Sequence, residues 1–235
     1  MKFYVEGRGF IFPKHEEAIK EIGGEIVDRI EEADFVSILT PNYLHYEQAL
    51  LAARQGKKVL VEKPLAISLK EAKELSEYDV YVCHQLRYLP YWKDLEKKDF
   101  NYIDIDFRAK RGDEYFKSWK GDKEKSGGVL FNLAIHYFDL AFWLFGLPES
   151  IDCEYADDRK AKGTFYSNNN IITWNFELGD VDDVRNFKIN NKTYDLTAKE
   201  NLHIKVYKDF INNKGLKAKE VLNLIDIIEK IYGHL

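Results

Sequence analysis

The sequence predicts an α/β chain in two parts. Residues 1–87 read as a parallel sheet whose strands alternate with helices, and residues 88–235 as an α+β part built on an open, mainly antiparallel sheet. Three observations carry this reading. Short apolar runs alternate with amphipathic stretches through the first third, as in βαβ units. After Arg87 the segment "NYIDIDFRAK" alternates strictly, as a half-exposed strand does. Four more strand-like segments then follow across short Gly, Asp or Asn turns, the mark of an antiparallel sheet.

The elements follow in order. "KFYVEG" (2–7) is a strand, and "PKHEEAIKEIGG" (13–24) a helix with Pro in its first turn and Gly at its stop. "EIVD" (25–28) is a short strand, and "ADFVSILTPN" (33–42) a buried strand ending in a turn. A helix (43–57) leads into the strand "KVLVEKP", and a helix opened by Ser68 leads into the strand "VYVCHQLR" (80–87). After the strand 101–110 comes a polar loop (111–128), then the mostly apolar helix "VLFNLAIHYFDLAFWLFG" (129–146). The strands "SIDCEYAD", "AKGTFYSN", "NIITWNFEL" and "VRNFKINN" precede two amphipathic helices, 198–213 and 218–232.

Composition bounds the function. The 235 residues are 45% hydrophobic and 32% charged, a globular chain of one large domain or two small ones. The net charge of −5 and the scattered basic residues speak against nucleic acid as a partner. Cys83 and Cys153 lie far apart in strands and read as reduced and buried, which suggests a cytoplasmic protein. No early stretch has signal-peptide form, and the richest apolar run, 141–147, is too short to span a bilayer, so no membrane is expected.

Four stretches carry chemistry. In "VEGRGFIFPKH" a strand, Gly7, Gly9 and a helix start follow one another, an arrangement that cradles phosphate with backbone N–H groups or is simply a strand–helix turn. "TPNYLH" lies at the carboxyl end of a buried strand; Thr40, Pro41, Asn42 and His45 can wall a cofactor cleft there, with Asn42 also a helix cap. In "VLVEKPLA" Pro64 keeps Lys63 out of the helical region, so the Glu62–Lys63 pair is held at a strand end, the edge where open α/β sheets bind ligands. In the apolar helix, Asn132 and His136 are four apart and share a face, with Asp139 near it; such a histidine can take a proton from a hydroxyl.

"EKP" after the fourth strand-like segment, then Gly-Gly and Asn132-x-x-x-His136, resembles the Gfo/Idh/MocA oxidoreductases. "GFIFPKH", "SILTPNYLHY", "QLR", "KSWKGDKEKSGGVLFNLAIHYFDL" and "LHIKVYKDFI" look most like the subgroup of UDP-N-acetylglucosaminuronic acid 3-dehydrogenases. The resemblance covers nearly the whole chain. It implies a Rossmann-like first domain, NAD as cofactor with NADP left open, a nucleotide-sugar substrate oxidised at C3, and a homo-oligomer, dimer or tetramer, formed through the C-terminal sheet.

The resemblance also implies roles. Lys63 would polarise the reacting hydroxyl and His136 would take its proton, with Asn132 beside it. Glu62 would hold the nicotinamide ribose, and Gly7, Gly9, Phe10 and Ile11 would line the pyrophosphate turn. Thr40, Pro41, Asn42, His45 and Gln85 would complete the cofactor cleft. Arg87, Lys117, Trp119 and Lys125 would face the sugar and its anionic groups, joined by His203 and Tyr207.

The chain departs from the family in two places. Only residues 29–32 separate "EIVD" from the next strand, where a full domain of this kind carries another helix and strand. Asp28 is then the acid that grips the adenosine ribose, or "EIVD" is the later strand and the acid-bearing one is missing. Glu6 stands where a glycine is expected and repels phosphate unless it points away. Two rivals therefore stand beside the dehydrogenase: a proton-transfer enzyme without redox chemistry, and a non-catalytic nucleotide-sugar-binding subunit. The strands around Phe165–Tyr166 and Ile172–Trp174 also carry apolar residues that suggest two apolar sheet faces, one of them for a partner subunit.

Overall fold

The computed structural model describes residues 1–95, 100–167 and 169–233. The chain divides into two compact units. Met1–Leu89 and Ala198–Ile225 form the first; Pro90–Thr197 and the segment from Asp226 form the second.

The first unit is a parallel sheet of β1 (Lys2–Glu6), β2 (Glu25–Val27), β3 (Phe35–Ile38), β4 (Lys58–Glu62) and β5 (Val80–Cys83), in the order β2-β1-β3-β4-β5. Helices α1 (Phe12–Glu21), α2 (Asn42–Arg54) and α3 (Leu69–Leu75) connect them. β4 and β5 are buried from Val59 to Glu62 and along their whole length, which explains their unbroken apolar runs. Ser68 opens α3 by accepting from the Glu71 N–H at 3.3 Å. Between β2 and β3 there is only a 3-10 turn, Ile30–Glu32. β2 pairs with β1, Lys2 opposite Glu25, so "EIV" is the strand beside β1 and Asp28 follows its end. The lost βα unit is therefore the one outside β2.

β5 ends at Cys83, earlier than the strand expected over 80–87. Among the described residues its ladder with β4 ends where Glu62 pairs with Cys83, and its bridge to Lys217 lies at Tyr81, so neither reaches beyond Cys83. Gln85–Tyr88 instead form a 3-10 turn.

The second unit holds β6 (Asn101–Lys110), α4 (Asp113–Lys117), α5 (Lys123–Ser126), α6 (Ile135–Phe145), β7 (Ser150–Ala156), β8 (Lys160–Ser167), β9 (Asn170–Gly179), β10 (Val184–Ile189) and β11 (Lys192–Thr193). The sheet order is β11-β10-β6-β9-β8-β7, antiparallel except for the central pair β6 and β9. The final residue of the strand expected over 161–168 lies outside the described residues. α6 lies on this sheet: Phe138 meets Phe165, Trp174 and Phe176 at ring-centroid distances of 4.9, 5.5 and 5.4 Å. The helical run Lys123–Phe145 is long and apolar enough by length and composition to cross a membrane, but 67% of its apolar window is buried within the fold.

The two apolar faces expected for this sheet are found in part: the face opposite Phe165 carries one row, Tyr166, Ile171 and Tyr102 in register, with both tyrosines exposed. Ile172 and Trp174 are two apart and both face inward, as strand periodicity requires. The opposite face is largely a polar ladder, in which Asn175 and Arg108 donate to Asp106, and Thr173 and Asn186 donate to Asp104. Tyr166 is the exposed aromatic on β8.

The chain then returns to the first unit. α7 (His203–Ile211), shorter than the expected helix over 198–213, places Val206, Tyr207 and Phe210 in a core with Phe3, Val5, Leu60 and Tyr81. A 3-10 turn, Ala218–Val221, and α8 (Leu222–Gly233) follow. The crossing near Arg87 was legible from the change of pattern, whereas the return at residue 198 was not, because the amphipathic helix fits either sheet.

Candidate active site

Four strand ends align at the carboxyl edge of the first sheet: Glu6 is opposite Ile38, Ile38 opposite Val61, and Glu62 opposite Cys83. The turn after β1 is shaped by Gly7, whose φ is +94° and whose added Cβ would stand 2.8 Å from the Leu39 carbonyl carbon and the Thr40 nitrogen. Only glycine allows this approach. Gly9 has open space around it, Phe10 is 95% exposed, Ile11 precedes α1, and the turn leads into the helix's positive end. The Glu6 carboxylate is engaged by a neighbour: it accepts from the Tyr4 hydroxyl two residues back, and that hydrogen bond, ahead of burial, pushes Tyr4 up to about 12. The residues therefore fit a pyrophosphate. Asp28 is exposed past β2 and pairs with Arg8 of the turn at 3.3 Å.

The turn after β3 differs in detail from the expectation. Pro41, not Asn42, takes the cap position; Pro41 is extended and Asn42 is already the first, buried, helical residue. His45 does not wall a cleft. It is 1% exposed, with Nδ1 2.6 Å from the Pro64 carbonyl oxygen and Nε2 2.8 Å from that of Thr40. It ties the β3 turn to the segment after Lys63. Burial pushes its pKa down, against the pull of the two carbonyls. Thr40 donates to Gln48 at 2.6 Å. Lys63 is half-buried, and the Lys63–Pro64 peptide bond is cis. Gln85 and Arg87 lie in the 3-10 turn after β5, both partly exposed.

Glu62 is buried at the centre of a polar cluster. His15 Nε2 donates to Oε1 at 2.9 Å, His203 Nε2 is 3.5 Å from the same oxygen, and the Lys63 N–H donates to Oε2 at 3.2 Å. Burial opposes the charge of Glu62, but the two histidines outweigh it and hold the carboxyl well below its usual range. Tyr207 Oη lies 2.9 Å from His15 Nδ1 and 2.8 Å from Ser37 Oγ. His203 and Tyr207, expected near substrate, are thus packed beneath the strand edge, where Tyr207 is fully buried. Sequence reasoning missed His15, Ser37, Cys83 and Asn201 as members of this cluster. His15 carried a signal, since it shares with Ala18 and Ile19 the helix face that turns inward.

In the second unit, Asn132 lies in a π-helical turn, Leu130–Ala134, inserted just before α6. Such one-turn bulges reorient side chains and recur at functional sites. Asn132 and His136 are partly exposed while Phe131, Ala134, Ile135, Phe138 and Asp139 are buried. Asn132 Nδ2 donates to the Tyr115 hydroxyl at 2.7 Å. Lys117 ends α4, Trp119 opens a 3-10 turn, and Lys125 on α5 pairs with Asp122 at 2.9 Å.

Residues 7–79 match the NAD-binding Rossmann fold of the Gfo/Idh/MocA oxidoreductases, and residues 98–198 match their C-terminal alpha/beta domain. The chain belongs to the Gfo/Idh/MocA family. Among solved Gfo/Idh/MocA structures, the WlbA (WbpB) dehydrogenase from Thermus thermophilus in complex with NAD and UDP-GlcNAcA is 27% identical, with a TM-score of 0.86 over 97% of this chain and 93% of that one. The same dehydrogenase with NAD and alpha-ketoglutarate is 26% identical, with a TM-score of 0.87 over 98% and 94%. Glucose-6-phosphate 3-dehydrogenase of Bacillus subtilis (strain 168) is 31% identical over 170 residues, 63% of this chain and 49% of that protein. The chain spans between 36% and 49% of the length of the first curated relatives it matches. The first unit of this Gfo/Idh/MocA member is an NAD-binding Rossmann domain lacking one βα unit.

Proposed function

We propose that the chain is an NAD-dependent dehydrogenase that oxidises a hydroxyl of a nucleotide sugar, at C3 of a UDP-N-acetylglucosaminuronic acid-like substrate. The observation that carries this reading is the alignment of the Gly7 turn, Thr40 and the Glu62–Lys63 pair along one strand edge, in a sheet that ends at β2. Likeness to a dehydrogenase solved with NAD and UDP-GlcNAcA supports the substrate class.

NAD, when bound, accepts the hydride. Gly7, Gly9, Phe10 and Ile11 cradle its pyrophosphate, Asp28 grips the adenosine ribose, and Glu62 holds the other ribose. Lys63 polarises the substrate hydroxyl and His136 takes its proton, with Asn132 orienting the sugar. Arg87, Lys117 and Lys125 meet the diphosphate or carboxylate, for which cationic side chains are the expected partners. The test is NADH formation from NAD and UDP-GlcNAcA, read by absorbance, in the wild type and in Lys63→Met. Loss of a positioned proton-transfer group costs ~10²–10⁴-fold in rate. Sugar binding without NADH formation would favour the binding subunit; turnover without it, the proton-transfer enzyme.

A further inference from the structure

The helical run that carries Asn132 and His136 is entered through Gly127 and Gly128, whose φ angles are +77° and +70°. The first N–H groups of such a run have no partner within it. Three of them are met here from outside. Gly128 donates to Ser126 Oγ at 3.1 Å, Val129 to the Asp158 carbonyl oxygen at 2.9 Å, and Leu130 to the Tyr232 hydroxyl at 3.1 Å. Ser126 is two residues away, whereas Tyr232 comes from α8, 102 positions after Leu130.

Gly128 is what admits Tyr232. A Cβ there would stand 2.4 Å from Tyr232 Oη, closer than real Cβ atoms approach, but 3.3 Å from Cζ. A side chain at 128 would therefore displace the hydroxyl before the ring. Lys123 of α5 holds the ring: its Nζ lies 4.4 Å from the ring centroid and also pairs with Asp158 at 3.4 Å. Leu130, the residue that Tyr232 grips, is where the π-helical turn Leu130–Ala134 begins. A π turn takes more residues per turn than an α turn. Its presence therefore sets the angle around the axis between Asn132, inside the turn, and His136, just after it.

We propose that Tyr232 is a positioning residue: its hydroxyl pins Leu130 at the head of the π-helical turn and thereby sets the direction of Asn132 relative to His136. Gly128 leaves room for that hydroxyl. The consequence for turnover rests on the dehydrogenase reading, which places Asn132 and His136 at the sugar; the anchoring itself does not.

Tyr232→Phe in the full chain removes the hydroxyl and keeps the ring. Hydrogen exchange at the Leu130 amide should quicken roughly tenfold, the weight of one hydrogen bond, and the Asn132 side-chain amide resonance should move. With NAD and UDP-GlcNAcA, kcat should fall ~10- to 10²-fold through misplacement, with KM altered far less. Gly128→Ala should give the same signature, and adding Tyr232→Phe to it should lower kcat no further, because the hydroxyl has already been displaced. If Tyr232→Phe does not fold, Gly128→Ala supplies the readings. An unmoved Asn132 resonance overturns the proposal, as does a lower melting temperature with an unchanged kcat. If the wild type forms no NADH, the dehydrogenase reading fails, and the Leu130 exchange and the Asn132 resonance decide the role of Tyr232 by themselves.

Discussion

Gly7 and Leu39 lie in backbone contact at the strand edge: a Cβ on Gly7 would stand 2.8 Å from the Leu39 carbonyl carbon. Gly7→Ala meets both this obstruction and a φ of +94°. It should cost at least about 2 kcal/mol of stability, since left-handed strain alone is worth ~1–2 kcal/mol. Urea unfolding checks it. A cost below about 0.5 kcal/mol would show that the turn relaxes without loss.

Asp28 follows the strand beside β1 and pairs with Arg8 of the Gly7 turn. In such sites an acid accepts from the ribose hydroxyl, whereas an arginine accommodates an added phosphate. Asp28→Ser should therefore weaken NAD and strengthen NADP, each several-fold, reversing a preference for NAD. Titration calorimetry with both cofactors reads this directly. Parallel changes for the two would remove Asp28 from the ribose.

His136→Asn should lower turnover by ~10²–10⁴-fold and alter KM far less, if the ring acts on the proton in the transition state. A normal rate with a lower melting temperature would leave the ring as a packing residue.

Acid should destabilise the fold in two stages. Burial holds His15 and His45 below the ordinary 6.5, so the unfolded chain takes up their protons more readily than the folded one. Their contribution is complete above pH 6.5 and declines as pH falls below it. Glu62, held below its ordinary 4.5 by His15 and His203 despite its burial, adds a second loss beneath that value. The urea midpoint should be level above about pH 7 and fall steadily below 6.5. His45→Gln should flatten the first decline. A midpoint constant down to about pH 5 would contradict both histidine assignments.

Much of this was legible in the sequence for local reasons. Apolar runs and turn residues marked β3, β4 and the Gly7 turn, and the short spacer after Asp28 revealed the lost unit. Glu6 beside Tyr4 was also within reach, since residues two apart on a strand share a face. The rest depended on long-range contacts or on backbone irregularity. Nothing near Glu62 announces His203, 141 positions later, or the Asn201 amide that orients it. The π-helical turn at Leu130–Ala134 leaves apolar periodicity almost intact and so hides in a helix pattern. Ile172 and Trp174 were misassigned to opposite faces although their spacing places them on one.

The return of α7 to the first sheet also sets an order of events during synthesis. When a ribosome has delivered Met1–Leu89, Phe3, Leu60 and Tyr81 still lack the Val206, Tyr207 and Phe210 side chains that complete their core. More than a hundred further residues must be translated first. The nascent sheet of the first unit therefore waits with one apolar surface uncovered, the kind of surface that recruits chaperones, and a chain cut short before His203 holds a sheet that never receives its cover.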